Sequence, residues 1–529
     1  MINFTSSNWA AVIDTPETSY KRPTFGKSIQ KLNRSIEDDR NHRKMTTLTP
    51  TPANSTSTPI THTLSTWLEE LTPESIPVEV RERAKYLILD GLACALLGAR
   101  LPWSVKAHDA ITTIEGQGKC TVIGWNETLS PNAAALLNST FLQGFDLDDI
   151  HVEAPIHTMS VILPAILAAA EQEHGGSTRP ISGNDFITAT VAGCETGPRV
   201  GYALGGTHML TIGWHCGAIF GPAASAAAVS KLLNLPAAQI EDALGMACTQ
   251  ACGLMSAQFE SMVKRMQHGF ASRSGVLATY LAKQGFTGIK EIFDREYGGF
   301  LKMFSYGAET ERKYYPEEVC KGLGEVWQTK KIKQKLHALC AVSHCTVDCI
   351  KDLQAMYPAK MGEWKKIVKI EAEMARAAMK KGGWAPEKPA TATAAQMSIP
   401  YAVALQVLDG EIVPGQFAPG MLNREELWDV IRLVECREAK ELDNTWAQRV
   451  KITFEDGEVV EKLLKAPKGV HPGVTNEEVL QKWRAVTKGV ISEERQKKIE
   501  EVVLNLEEVE DVAGVLGELL RGETVNVLQ

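Results

Sequence analysis

Residues Ile76–Ala99 read IPVEVRERAKYLILDGLACALLGA. Val80, Ala84, Leu87, Ile88 and the Cys94–Ala95 pair recur at the spacing of one helix face, with Glu and Arg between them. Pro77 sits where a first turn tolerates a missing N–H. Helices of the same kind are read outward from this one, in PNAAALLNSTFLQGF, SVILPAILAAAEQEH, NDFITATVAGCETGPRVGYAL and PAAQIEDALGMACTQACGLM. Little strand-like alternation appears from Leu64 to about Tyr306, so an all-helical domain rich in small residues is expected. After about Thr329 the pattern changes. Val368, Ile370 and Ala372 alternate with charged residues, and Asp456-Gly457 separates two alternating runs as a hairpin turn does. The expected fold class is mainly α: a large helical domain (62–328), a smaller α+β lid domain (329–468), and C-terminal helices (469–529) packing back on the first domain. The Thr-, Ser- and Pro-rich stretch before them makes 1–61 a disordered tail.

The chain has 529 residues, 44% of them hydrophobic and 23% charged, with a formal net charge of −8. That balance disfavours nucleic acid as a partner, and the uncharged stretch between Arg199 and Lys231 is too rich in Gly, Ala, His and Pro for a membrane span. The 11 cysteines, an odd number set mostly in apolar runs, suit a reducing compartment. Glu37, Asp38 and Asp39 interrupt the basic segment near the start, unlike a mitochondrial transit peptide. A cytoplasmic location is expected, with a mitochondrial one as the alternative.

GxGxxG after a strand, GxxxxGK[ST], GxSxG and HExxH are all missing. The loop GFDLDDIHVEAPIH (144–157) gathers Asp146, Asp148, Asp149, His151, Glu153 and His157 beside an apolar run. It lacks the glycine and terminal glutamate of a calcium loop. The Cys340, His344, Cys345, Asp348 and Cys349 set falls on one helix and does not close a tetrahedron, so no metal is expected. Taken singly, His157 is a core histidine and Asp148 or Asp149 a helix cap. The density of ionisable groups argues for acid–base chemistry instead. MVKRMQHGFASR places Lys264, Arg265, His268 and Arg273 between apolar flanks, with Lys264 and His268 on one face if the segment is helical. Lys333, Lys335, His337 and His344 form a third set, and His215 in GWHCGAIFG a fourth element. Cations near a core need anionic partners, and a small polycarboxylate held in an interdomain cleft matches.

The segments FDLDDIHVEAPIH, GWHCGAIFGPAASAAAVSKLLNL, ACTQACGLMSAQ, MVKRMQHGFASRSG, YGGFLKMF and AQMSIPYAVALQ resemble the MmgE/PrpD family, and within it the fungal cis-aconitate decarboxylases. The resemblance covers Leu64 to about Gly517. It implies a helical domain with a lid, a homodimer, no cofactor, and decarboxylation of cis-aconitate to itaconate by acid–base and electrostatic catalysis. It places catalytic roles on Asp146, His157, His215 and Lys264 and a lid-boundary lysine on Lys335; Lys335 is expected to bind substrate, and so, from the cationic cluster and the lid, are His268, Arg273 and Cys340. Ile150 stands where the mammalian enzymes carry threonine, and Cys340 where they carry a lid histidine. The alternatives are a 2-methylcitrate or related tricarboxylate dehydratase, which needs the same residue types, and a non-enzymatic helical interaction protein, whose clusters would be solvated surface.

Overall fold

The first helix, α1 (Ile60–Glu70), begins inside the segment expected to be tail. Its start is held by Asp294, which accepts from the backbone N–H of Ile60 (2.7 Å) and Thr61 (3.0 Å) and from the Thr61 hydroxyl (2.7 Å). A carboxylate more than two hundred residues away caps this helix, so no local signal announces its start. The rest of the expected tail lies outside the residues that the computed structural model describes, 58–176, 179–442 and 446–529.

Helices α2 (Val78–Gly98), α3 (Pro131–Leu142), α4 (Thr158–Glu173), α5 (Gly183–Ala203), α6 (Cys216–Leu232), α7 (Ala237–Cys248) and α8 (Gln267–Lys283) follow the apolar runs of the sequence. α6 is buried all round except at Lys231 and is enclosed by α4, α5, α7 and α8. Small residues set that closeness: a Cβ on Gly275 would lie 2.2 Å from Ser225 Oγ. The expectation of a purely helical first part is corrected by two short antiparallel pairs. β1 (Gln117–Thr121) pairs with β2 (Thr128–Leu129), and β3 (Ile150–His151) with β4 (Ile332–Lys333). Three of these strands are too short for a period-2 pattern to show, or owe their pairing to a distant segment.

Beyond β4 come α9 (Ala341–Met356), α10 (Arg376–Gly382) and α11 (Ile399–Asp409), interleaved with β5 (Ile367–Met374), β6 (Val434–Glu438), β7 (Gln448–Phe454) and β8 (Val459–Leu464). The sheet order is β6-β5-β7-β8, with only the β5–β6 pair parallel. The β7–β8 hairpin turns at Gly457, whose φ of 80° suits glycine. In β5, Ile370 and Ala372 are buried as the alternation requires, but Val368 is exposed and Ile367 buried in its place. A register shift between Ile367 and Lys369 inverts the pattern there. Finally α12 (Asn476–Thr487) and α13 (Glu493–Leu504) pack against α2. Among the described residues, no single helix is long and apolar enough to cross a membrane.

Candidate active site

α3 ends in a short 3-10 turn, and Asp146 closes it in the left-handed region (φ 55°). That reversal presents both its carboxylate and its carbonyl to the β3–β4 junction, where the strand pairing has brought Lys335. Lys335 Nζ donates to the Asp146 carbonyl at 2.9 Å and lies 3.2 Å from its carboxylate. Lys264 Nζ lies 2.6 Å from the other carboxylate oxygen, to which Gln143 also donates at 2.9 Å. All four side chains are buried. Burial alone would raise the Asp146 carboxyl, but Lys264, Lys335 and His157 outweigh it and hold the group well below the usual carboxylate range. Burial lowers the Lys264 ammonium, and Asp146 opposes that.

His157 stands immediately before α4, with Nδ1 3.1 Å from the buried Asp148 carboxylate. Its imidazole is held below the ordinary histidine value, first by burial, with Asp148 acting against it. Asp149 has a different task. Its carboxylate accepts from the N–H groups of Thr158 (2.9 Å) and Met159 (3.0 Å), capping α4. Burial, and then Asp148, push the Asp149 carboxyl up to about 8. His215 precedes α6 in the same way. Burial and Lys264 drive its imidazole down to about 3. His268, on α8, packs between the two other imidazoles, 5.0 Å from His157 and 4.8 Å from His215 between ring centroids. Neither His268 nitrogen has a hydrogen-bond partner among the described residues. Gly217 makes room for this ring, because a Cβ there would sit 2.0 Å from His268 Nε2.

Asp146, His157, His215, Lys264, Lys335 and Cys340 line one inner chamber of about 40 Å³. It shares Ile150, Pro155, Leu210, Met255, Gln258 and Lys381 with an outer cavity of about 180 Å³. His268 supports the chamber from behind. Arg273, expected to bind substrate, is not brought to it. It is exposed on α8 with its guanidinium over Phe270. Five residues on from His268 is about 140° round a helix, which turns Arg273 away from the chamber. Lys264 and His268 do meet, but not by sharing a helix face, since Lys264 lies in a 3-10 turn before α8 begins. His151 lies outside the chamber, stacked edge-on against Tyr202 with Nδ1 accepting from Ala154 N–H, and Glu153 bonds the Tyr202 hydroxyl. His337 and His344 pack together behind Lys335.

Three residues support the site from outside the chamber, and of them the sequence had singled out only Arg265. Gln396, fully buried, donates to the carbonyls of Phe145 (2.8 Å) and Ala338 (2.9 Å) and accepts from Arg265 (2.7 Å), tying three segments of the site together. Its one trace was a lone amide in the apolar run AAQMSIPYAVAL. Arg265 also donates to Gly144 O at 2.6 Å and lies over the Trp103 ring. From α12, Lys482 pairs with Asp90 of α2 at 2.6 Å and donates to Leu147 O at 2.8 Å, pinning the loop between Asp146 and Asp148.

Oxygen and nitrogen atoms of Asp146, Asp148 and His157 lie within 4.8 Å of one another, close enough to be asked whether they hold a metal. The two lysine ammoniums on Asp146 answer against it, because a divalent cation there would face two buried positive charges at contact distance. The set is built to receive anions. Two ammoniums, three imidazoles and one carboxylate can bind carboxylate groups, stabilise a developing enolate and hand over a proton.

Residues 62–313 match the MmgE/PrpD N-terminal domain and residues 337–508 the MmgE/PrpD C-terminal domain. The cis-aconitate decarboxylase-like protein oryM of Aspergillus oryzae is 45% identical, over 88% of this chain and 98% of its own. A cis-aconitate decarboxylase of Aspergillus terreus is 44% identical, over 86% and 95%. The human cis-aconitate decarboxylase is 24% identical, over 88% and 95%. Two domain matches in the right order, and relatives 44–45% identical along most of both chains, establish that the chain belongs to the MmgE/PrpD family.

Proposed function

We propose that this protein is a carboxy-lyase that converts cis-aconitate to itaconate and CO2. The observation that carries the reading is the convergence of Lys264 and Lys335 on Asp146, beside His157 and His215, in one chamber backed by His268. The names of relatives 44–45% identical along most of the chain support the same substrate.

The chemistry follows from the substrate. In cis-aconitate the methylene carboxylate is allylic to the double bond. As its C–C bond breaks, CO2 departs and the bonding pair moves into a new terminal double bond. The former alkene pair shifts to the far carbon, where the attached carboxylate shares the charge. A proton delivered to that carbon completes itaconate. The substrate is its own electron sink, so no cofactor is called for. Lys264 and Lys335 hold substrate carboxylates and steady the enediolate-like charge, and His215 adds a polar contact. His157 supplies the proton: its Nδ1 faces Asp148, leaving Nε2 for the chamber. In the free protein burial keeps this ring mostly neutral. A bound polyanion raises its proton affinity, so the acid is charged when substrate arrives.

The inner chamber has room for a carboxylate group but not for a six-carbon acid. Its walls come from both the helical part and the α+β part. We therefore read 329–468 as a lid over 62–328, closing on substrate.

Incubation of purified protein with cis-aconitate, with no metal or cofactor added, is expected to release CO2 and itaconate in equal amounts by NMR. No product sinks the reading, and turnover of 2-methylcitrate alone replaces it with the dehydratase.

A further inference from the structure

The two cations on the chamber floor are already engaged. Lys264 and Lys335 share the single carboxylate of Asp146, so the trio keeps only one net positive charge. A tricarboxylate brings three negative charges, and a binding site must meet the excess.

Lys381 stands where the inner chamber opens into the outer cavity and lines both. It is half-buried, on the short helix α10. Among the described residues no carboxylate lies within ion-pair distance of its ammonium. Its charge reaches into the chamber. Burial is the main reason the His215 imidazole is driven down to about 3 and the Cys216 thiol up to about 12, but Lys381 acts on both as a nearby cation. Gln258 lines the same two cavities from the other half of the chain. It is buried, and its Oε1 has no hydrogen-bond partner among the described residues. Around these two the neck is apolar, formed by Ile150, Pro155, Leu210 and Met255. A buried amide whose oxygen is unpaired, and which presents its N–H2 in place of that oxygen by a half-turn, stands beside an ammonium with no carboxylate partner among the described residues; in an otherwise apolar constriction this is the pattern of a polar anchor in a ligand pocket.

We infer that Lys381 and Gln258 form a carboxylate subsite at the neck between the two cavities, which binds the substrate carboxylate lying outside the inner chamber and so selects tricarboxylates over dicarboxylates. The inference rests on the tricarboxylate reading of the site. Lys381 donates a charge-assisted hydrogen bond, and the Gln258 amide N–H a neutral one. Lys381 is a specificity residue in this arrangement, not the proton donor.

The test uses two unreactive probes, tricarballylate and glutarate, which share a carbon chain but differ by one carboxylate. Calorimetric titration of the full-length protein is expected to show Lys381→Met weakening tricarballylate by about tenfold or more while changing glutarate little. Gln258→Leu is expected to give a smaller loss in the same direction, and Lys381→Arg to recover most of the affinity. With cis-aconitate, Lys381→Met is expected to raise KM by a similar factor and leave kcat within about threefold. Unchanged tricarballylate binding in Lys381→Met, an equal loss for both probes, or a wild-type protein that does not bind tricarballylate overturns the subsite. A wild-type protein that binds tricarballylate selectively but does not turn over cis-aconitate overturns the decarboxylase reading and leaves the subsite standing.

Discussion

Replacing Lys482 by methionine should destabilise the protein by about 3–5 kcal/mol, although the residue lies outside the chamber. Its ammonium is 2.6 Å from Asp90 Oδ1, and the two side chains are 6% and 1% exposed. Methionine fills much of the same space, so little packing is lost. What disappears is the counter-charge of a buried carboxylate. At an effective dielectric constant of about 20 the attraction at this distance is about 6 kcal/mol. Part of that loss is avoided because Asp90 can take up a proton. Burial already raises its carboxyl, and Lys482 is the main force holding it down. An unfolding entropy of about 2.1 cal/mol/K per residue, over the roughly 470 residues of Thr58–Gln529, makes 1 kcal/mol worth about 1 °C. Calorimetry at pH 7 should therefore show Tm lower by about 3–5 °C. Adding Asp90→Asn to Lys482→Met should recover at least half of that, because no uncompensated charge then remains. The same single variant frees Leu147 O, the anchor of the loop between Asp146 and Asp148, so turnover should fall with it. A drop of less than about 1 °C, or a double variant less stable than both single ones, would refute the reasoning.

Asp146→Asn leaves Lys264 and Lys335 facing each other without an anion. Initial rates with cis-aconitate should fall by about a hundredfold or more, and the accompanying stability deficit should shrink as pH rises, since the Lys264 ammonium, already lowered by burial, can shed its proton. Gly217→Ala puts a methyl carbon 2.0 Å from His268 Nε2, far inside contact distance. That ring must leave its place between His157 and His215, and turnover should drop about tenfold or more while circular dichroism stays unchanged. His215→Gln tests the buried imidazole directly. The folded value of His215, about 3, is depressed below the ordinary 6.5. Its contribution is thus whole above pH 6.5 and is lost as pH falls toward about 3, at about 1.4 kcal/mol per pH unit. Thermal scans should show a constant difference between about pH 7.5 and 6.5 and the variant gaining on wild type at about that rate from 6.5 to 5, and a difference that stays constant throughout would mean the imidazole is not held neutral by the fold.

Much of this protein is determined by the chain itself. The helices α2 to α5 and α7 follow apolar runs read in the sequence, and the β7–β8 hairpin follows an Asp-Gly pair flanked by alternation, because both signals are local. The residue types of the site were also legible: Asp146, His157, His215 and Lys264 stand out as ionisable groups beside runs that must be buried. Tertiary structure decided how those groups are used. Asp148 and Asp149 are neighbours in sequence, yet one faces His157 and the other caps α4, a division set by where the helix end falls. Arg273, expected at the site, is removed by a helix rotation of about 140°, and Lys381, which the sequence did not single out, is brought to the chamber mouth by a helix from the far half of the chain. Gln396, Arg265 and Lys482 hold the site through contacts between distant segments, as Asp294 holds the start of α1. A polar group's partner is chosen by three-dimensional proximity, and one sequence carries no record of that distance.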